Sequence, residues 1–371
     1  MKRATTLLMV CVGALLSLGL VMLYSVGMQQ KGAGYLLRQL IWAMAGLGVC
    51  CVLATTDYKN LKQWRWVFLG GALVLLGLVL VPGVGALRNG ARRWFAFGTV
   101  LFQPSEAAKM ALIIFLAYYG ERYQRHSQTF WKGLAIPGLM AGLILGLIFV
   151  EPDRGTTILL ASVTGVMLVL AGVRWLYIVP PALLAVAALA YSFSNDAMRS
   201  TRIESWLNLE QHKSGVGYQA WQAMLALGAG GTTGLGLGNG RQKLGFVPED
   251  QTDFILSIIG EEMGLVATLG VVLAFGLFTV CGGYIASRAR TKFGMLLASG
   301  ITFMIGLQAV INIGVVTSAL PNKGLPLPFI SYGGSNLLLV LTSVGLLLSI
   351  AREAESDEFG FSSFEEGEES A

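Results

Sequence analysis

The sequence predicts an all-α, polytopic membrane protein with about ten transmembrane helices and large structured outer loops. Three observations carry that fold class. Of the 371 residues, 54% are hydrophobic and only 13% are charged, against about 25% charged in soluble domains. Apolar runs recur at the length of a bilayer span, about 20 residues. In lipid the backbone must satisfy its own hydrogen bonds, so those runs are helices. Charge is also unevenly spread. The net charge of +5 includes an acidic end, residues 353–371, which holds eight acids and no base; the rest has 13 of the 21 acids against all 26 bases. Those bases are scattered over many short loops, which speaks against nucleic acid and for an anionic partner at a membrane surface.

The spans are expected at 5–27, 36–55, 66–82, 104–119, 133–150, 155–173, 174–193, 254–286, 294–319 and 333–351. The first follows Lys2 and Arg3 but is too long for a signal-peptide core, so it reads as a retained helix. Arg174 between the sixth and seventh marks a tight turn. Ten spans place both termini on one side. With the N-terminus inside, the cytoplasmic loops hold Lys59, Lys62 and Arg65, then Arg122, Arg125 and Lys132, then Arg174, then Arg288, Arg290 and Lys292. The outer loops are longer, so base density favours this orientation. The transmembrane domain covers 1–352, with a long extracytoplasmic loop at 194–253, and 353–371 is expected to be a disordered cytoplasmic tail.

Outer segments 83–103, 194–253 and 320–332 are too long or irregular to be connectors, and such loops are usually functional. No cytoplasmic loop is large enough for an ATPase or kinase domain, and no internal repeat marks an inverted-repeat transporter. Cys11, Cys50, Cys51 and Cys281 all lie in apolar segments, and the two histidines, His126 and His212, in polar loops. A disulfide framework, a zinc site or a Ser-His-Asp triad is therefore not expected. Catalysis would rest on carboxylates and on Lys or Arg, with or without a bound metal.

The sharpest signal is GLGLGNGRQKLGFVPEDQTDFILSIIGEEMG, residues 234–264. Thr252 is the expected N-cap of the next helix, which puts Asp253 in its first turn at the outer surface. Ser257, Gly260 and Gly264 then fall within about 40° of Asp253, Glu261 within about 80° and about 12 Å deeper, and Glu262 on the opposite face. A carboxylate beside an apolar wall becomes a better base; equally, Asp253 could only complement the helix dipole. A charge inside a span costs about 2.5–3.5 kcal/mol by insertion scales, so Glu261 and Glu262 read as structural ion-pair or protonated acids, or as lining of a polar pathway.

A second cluster is Asn89-Gly-Ala-Arg-Arg-Trp94 followed by Gln103-Pro-Ser-Glu106 and Lys109. Pro104 suits a first helical position, and Glu106 and Lys109 share a helix face. Lys109 is an anion ligand or the partner of Glu106. With Arg92 and Arg93 at the mouth of the same helix, these residues make a pyrophosphate site conceivable, because Arg presents a planar fork to phosphate oxygens. Glu151-Pro-Asp-Arg-Gly-Thr156 is a tight outer turn in which Asp153 caps the next helix. Pro321 to Ser335, PNKGLPLPFISYGGS, is a re-entrant, non-helical piece that must be buried or line a cavity, and its Lys323 is a further anion candidate.

Together the stretches NGARRW, QPSEAAK, PDRGTT, GYQAWQ with GLGLGNGRQKL, PEDQTDFILSIIGEE and PNKGLPLPFISYGGS resemble the SEDS family of bacterial cell-wall proteins, the FtsW/RodA group, in order and spacing over residues 5–352. GNGRQKL looks more like the division-type branch than the elongation-type branch. The resemblance implies a ten-helix fold in the bacterial cytoplasmic (inner) membrane, both termini cytoplasmic and the active face extracytoplasmic. It implies peptidoglycan glycosyltransferase activity in septal synthesis and cell division: a sugar hydroxyl of lipid II attacks the anomeric carbon of the growing undecaprenyl-pyrophosphate glycan, and undecaprenyl pyrophosphate leaves. The family's essential carboxylate falls on Asp253, as general base. Arg93 and Lys109 match positions proposed to handle the phosphates, and Gln103, Ser105 and Glu106 complete that motif. Arg92, Lys243, Glu249, Lys323 and Ser331 join them as substrate-binding candidates, while Asp153, Glu261 and Glu262 are structural or pathway residues. No tightly bound cofactor is implied, but a divalent cation, magnesium or manganese, at or near Asp253 is compatible with the chemistry. Implied partners are a class B penicillin-binding protein of the FtsI type and other division proteins. Arg154 and Gln251 depart from the family pattern, which usually has an apolar residue and His there.

Two other classes of function compete with a polymerase. A transporter or flippase for a lipid-linked precursor would use the intramembrane charges Glu106, Lys109, Glu261 and Glu262. A division scaffold would need none of them for chemistry. The crowding of motifs on one membrane face favours the polymerase.

Overall fold

A computed structural model describes the backbone of all residues except 31, 33, 89, 99, 195–200, 202–203, 323 and 369–371, and the side chains of all of these except 29, 30, 97, 189, 192–194 and 356–368. Ten helices occupy the ten expected spans: α1 Lys2–Gln30, α2 Gly34–Thr55, α3 Leu61–Leu80, α4 Pro104–Arg122, α5 Ile136–Val150, α6 Arg154–Leu170, α7 Trp175–Ser194, α9 Ile255–Ser287, α10 Lys292–Val316 and α11 Gly334–Glu368. A shorter helix, α8 Tyr218–Gly230, lies in the long loop. Among the described residues, 7 helices are long and apolar enough to cross a membrane, and α6 and α7 are shorter apolar helices. The chain is thus a multi-pass membrane protein.

The termini meet at one end of the bundle: Lys2 pairs with Glu355 at 3.8 Å, and Glu353 pairs with Lys59 of the α2–α3 turn and with Arg290 of the α9–α10 turn. Helix α11 continues from the membrane through this contact to Glu368. A helix already nucleated by a span extends without a new nucleation cost, and Glu and Ala are adequate helix formers.

Helix α4 sits in the middle. Its residues from Pro104 to Ala117 are almost all buried, because α3, α6, α10 and α11 surround it. That placement follows from its charges, which must face protein rather than lipid. Helices α2, α3 and α7 turn apolar side chains outward instead, such as Ile41, Val67 and Leu176. Turns of positive φ at Gly172 and the bases nearby separate α6 from α7, as the Arg174 signal predicts.

At the end opposite the termini, the distal end, the loop before α4 is a small antiparallel sheet rather than a helix: β1 Ala86–Arg88, β2 Ala91–Phe97 and β3 Val100–Phe102, in the order β1-β2-β3. The all-α expectation misses this sheet because its strands are short and lie next to a span. β2 packs against α3 and α4 and aims Arg93 at the α5–α6 turn.

Helix α9 is broken at Gly264, whose φ is 74° and ψ −170°. The chain from Gly231 to Gly236 fills the break. Leu265 N donates to Gly231 O, and Leu235 N and Gly236 N donate to the carbonyls of Glu261 and Glu262. A side chain at Gly264 would run into Gly234 N and Thr232 O, so the close approach and the positive φ both require glycine.

Candidate active site

Asp253 ends a tight turn at the head of α9. Glu249 holds a left-handed φ of 57°, and its carbonyl accepts from Thr252 N at 3.1 Å and Phe254 N at 3.4 Å. The helix starts at Ile255 with Phe254 as N-cap and no side-chain cap. Thr252 therefore does not cap it; its hydroxyl donates to the carbonyl and carboxylate of Glu249. Asp253 consequently stands just before the first helical turn rather than in it. Its carboxylate is half-buried and takes no hydrogen bond among the described residues. Burial, then the charges of Glu249 and Asp153, push its pKa up to about 7. On one side lies Gly324, with φ 61°, where a Cβ would stand 3.2 Å from Asp253 Oδ2.

The expected re-entrant piece is present and is strapped to this turn. Ser331 Oγ donates to Thr252 O at 2.6 Å and accepts from Leu327 N at 2.8 Å. Tyr332 N donates to Gln251 O at 2.9 Å. Asn312 of α10 donates through one Nδ2 to Asp253 O at 2.8 Å and to Leu325 O at 2.7 Å. One turn earlier on the same helix, Gln308 Nε2 donates to Pro326 O at 2.8 Å. From α2, Gln39 donates to Ser331 O and accepts from Gly333 N. Phe329 takes a positive φ of 66°, so the Asp253 turn and the segment strapped to it each carry a non-glycine residue under backbone strain, Glu249 and Phe329. Such strain concentrates at functional sites.

Across from Asp253 is the α5–α6 turn. Asp153 caps α6, as expected, accepting from Thr156 N at 3.0 Å and Thr156 Oγ1 at 2.9 Å, and Gln103 Nε2 reaches its Oδ2 at 3.2 Å. Arg93 donates through Nε and Nη2 to the carbonyls of Glu151 and Pro152, both at 2.8 Å. Arg93 thus clamps the turn before it can meet any ligand. Arg92 faces the other side of β2, and its buried Nε has no hydrogen-bond partner. Glu151 is fully buried, with neither carboxyl oxygen hydrogen-bonded among the described residues. Burial and Asp153 raise its pKa to about 8 against the opposing pull of Arg93. Arg154 lays its guanidinium over the Phe149 ring.

Two ion pairs lie deeper. Lys109, 0% exposed, pairs with Glu106 at 2.9 Å and donates to Gln308 Oε1 at 3.1 Å, while Asn336 donates to the other oxygen of Glu106. The alternative left open for Lys109 thus resolves to partner of Glu106. Ser105 is buried beside them. Lys243, 1% exposed, pairs with Glu262 at 2.6 Å and also donates to Ser25 and Gly238 O. Glu261 accepts from Arg241 N and Gln242 N. Lys243 was expected on the outer surface facing a substrate. It is instead inside, because two helix glutamates need counter-charge and the glycine-rich loop folds back to supply it.

Of the residues singled out from sequence, Asp253, Glu249 and Ser331 form one cluster, faced by Asp153, Gln103 and Arg93. Glu106, Lys109 and Ser105 lie beneath it and connect through Gln308. Lys243, Glu261 and Glu262 form a separate structural knot. Lys323 lies outside the described residues. Sequence reading missed Gln39, Gln308, Asn312, Asn336 and the carboxyl of Glu151. The signal was present: amides inside apolar spans are costly and mark interior contacts. Among the described residues no group of three or more His, Cys, Asp or Glu side chains is placed to hold a metal ion.

Comparison with known proteins bears on this site. The family model for FtsW, RodA and SpoVE, described as cell cycle protein, matches residues 3–356. A probable peptidoglycan glycosyltransferase FtsW of Trichlorobacter lovleyi is 41% identical over 350 residues, 93% of this chain and 92% of the relative. One from Coxiella burnetii is 39% identical over 94% of this chain and 96% of its own. Among solved structures, a chain of a peptidoglycan synthase complex that coordinates polymerization and crosslinking superposes with TM-score 0.79 at 29% identity, covering 94% of this chain and 97% of that one. The rod shape determining protein RodA of Thermus thermophilus gives TM-score 0.71 at 29% identity, over 94% and 96%. With a family match over nearly the whole length and relatives this similar, the chain belongs to the FtsW/RodA/SpoVE family of cell cycle proteins.

Proposed function

We propose that the protein is a peptidoglycan glycosyltransferase that polymerises lipid II during septal wall synthesis, with Asp253 as general base. The observation that carries this reading is the state of Asp253: half-buried, without a hydrogen bond among the described residues, and titrating at about 7. A base matched to neutral pH is the most effective proton acceptor. The lipid II hydroxyl gives its proton to Asp253 as its oxygen bonds to the anomeric carbon. The bond from that carbon to the pyrophosphate oxygen breaks, and undecaprenyl pyrophosphate departs with the electron pair. Arg92 and Lys323 are the cations we assign to the departing charge, since stabilising developing charge is often the largest catalytic term. Arg93 and Gln103 hold the facing turn in place.

The side chains present do not make a preformed cation site, because Asp153 already accepts three hydrogen bonds. A magnesium or manganese ion would arrive with the pyrophosphate. We place the termini on the cytoplasmic side, since Lys59, Lys62, Arg290 and Lys292 lie at that end, and the Asp253 end outside. A class B penicillin-binding protein of the FtsI type is the proposed partner, by analogy with the synthase complex above.

The test is a glycan-polymerisation assay in detergent with labelled lipid II, the class B partner and no other glycosyltransferase, comparing wild type with Asp253→Asn. Micelles have no two sides, so flipping produces no signal. Long chains from wild type alone are expected. No chains from either would shift the reading to transport or scaffolding, and chains from both would remove Asp253 from its role.

A further inference from the structure

Helix α10 is an apolar span, yet it buries two amides four residues apart, Gln308 and Asn312, each 1% exposed. Residues at that spacing share a helix face. Both face the same irregular segment. Gln308 reaches Pro326 O, and Asn312 reaches Leu325 O, so consecutive carbonyls of the re-entrant piece are fixed to one helix. Asn312 alone also reaches the turn that carries the carboxylate, through Asp253 O at 2.8 Å. Its Oδ1 is buried with no hydrogen-bond partner among the described residues. The side chain is therefore oriented by its donors alone, and a reversed amide would set oxygen against two carbonyl oxygens. A buried acceptor left unsatisfied is costly, and this one is retained beside a strained turn.

We infer that Asn312 is a positioning residue of the glycosyl-transfer reaction, holding the Asp253 turn and the Leu325–Ser331 segment in one register through its two donated hydrogen bonds. The inference rests on the reading of Asp253 as the base. Its consequences follow from the contacts. The Asp253 carboxylate has no hydrogen bond of its own among the described residues, so its direction is set by where its backbone is held. The wall on its other side, Gly324, belongs to the same strapped segment. Losing Asn312 removes one tie from each side of the cleft, at Asp253 O and at Leu325 O, while Gln308 still holds Pro326 O. Ser331 ties the same two pieces through Thr252 O, which limits the displacement to the Asp253 end of the turn.

The experiment measures kcat and KM for lipid II in the detergent assay, with the class B partner present, for wild type, Asp253→Asn, Asn312→Ala, the isosteric Asn312→Asp, and Ser343→Ala. The last is a buried hydroxyl bonded within its own helix, to Leu339 O, and it serves as the packing control. Both Asn312 variants are expected to lose about 100-fold in kcat, the cost of a small misplacement of a reacting group, with KM unchanged, as for an interaction that matters only in the transition state. The Ser343 variant is expected to keep wild-type kcat. Full kcat in either Asn312 variant would overturn the inference, as would a rise in KM at constant kcat. Failure of both Asn312 variants to reach a monodisperse, partner-bound state, while Ser343→Ala does, would also overturn it in favour of a structural role. An active Asp253→Asn would instead bring down the reading on which it rests.

Discussion

Two sets of acids withdrawn wholly or partly from solvent are treated differently. Glu262 and Glu106 each face a buried lysine, at 2.6 and 2.9 Å, and Glu261 takes backbone N–H groups. Every one of these charges is answered. Glu151 is buried and Asp253 half-buried, yet their carboxyl oxygens accept no hydrogen bond among the described residues, and burial pushes their pKa values up to about 8 and about 7. The protein can satisfy buried carboxylates and does so where it needs a closed interior. At the distal end it does not: Glu151 is closed off from solvent, and on the proposed reading the half-buried Asp253 carboxylate is the one left open to a substrate.

The comparison breaks most visibly at Asp253. Asp253→Asn keeps shape and removes the base, so polymerisation should fall by about 100- to 10,000-fold while the protein stays folded; an intact Tm with lost chain growth checks both halves. The reverse is expected of the answered pairs. Lys243→Met leaves Glu262 uncompensated, at about 3–5 kcal/mol of stability, read as a lowered Tm or loss of monodisperse protein. Replacing Lys243 and Glu262 together by Met and Leu should recover much of that loss, as a pair of apolar isosteres often does.

Glu151 sharpens the contrast through pH. Its folded pKa, about 8, lies above the ordinary 4.5. The folded state therefore holds the proton more tightly, and stability falls as pH rises from 4.5 to about 8. Glu151→Gln removes that loss, so its Tm advantage over wild type should grow across this window and level off above it. A constant difference would show that Glu151 is not held protonated. The smallest effect is expected at the end carrying the termini, where Glu353 pairs with Lys59 in partial contact with solvent. Glu353→Gln should change stability by under about 1 kcal/mol, as for most exposed pairs, which thermal melts at low and high salt would detect.

How much of this is legible in the sequence depends on range. Most of the ten spans follow from local composition, since all but the fourth, with Glu106 and Lys109, are largely apolar runs. The Asp153 cap, the re-entrant segment and the Asp253 turn are also local, marked by proline, glycine and short polar residues. The Lys243–Glu262 knot is not. It joins positions 19 apart by folding a glycine-rich loop back onto a broken helix, and nothing in the periodicity of either piece says that they meet. Thr252 was misread for the reverse reason. An N-cap needs only a local pattern, but here the hydroxyl goes to Glu249 and the helix starts later. Asn312 and Gln308 were missed as amides in an apolar span, and only the fold reveals that both are spent on one irregular segment.

The most direct test of Asp253 as the working base is the pH dependence of kcat/KM for lipid II polymerisation, which reports groups in the free enzyme. On the proposed reading Asp253 works as the carboxylate, so the rate should rise with pH and level off through an apparent pKa of about 7. That limb should persist in Glu151→Gln. A limb at the ordinary carboxylate range near 4, or a rate independent of pH from 5 to about 8, would contradict it.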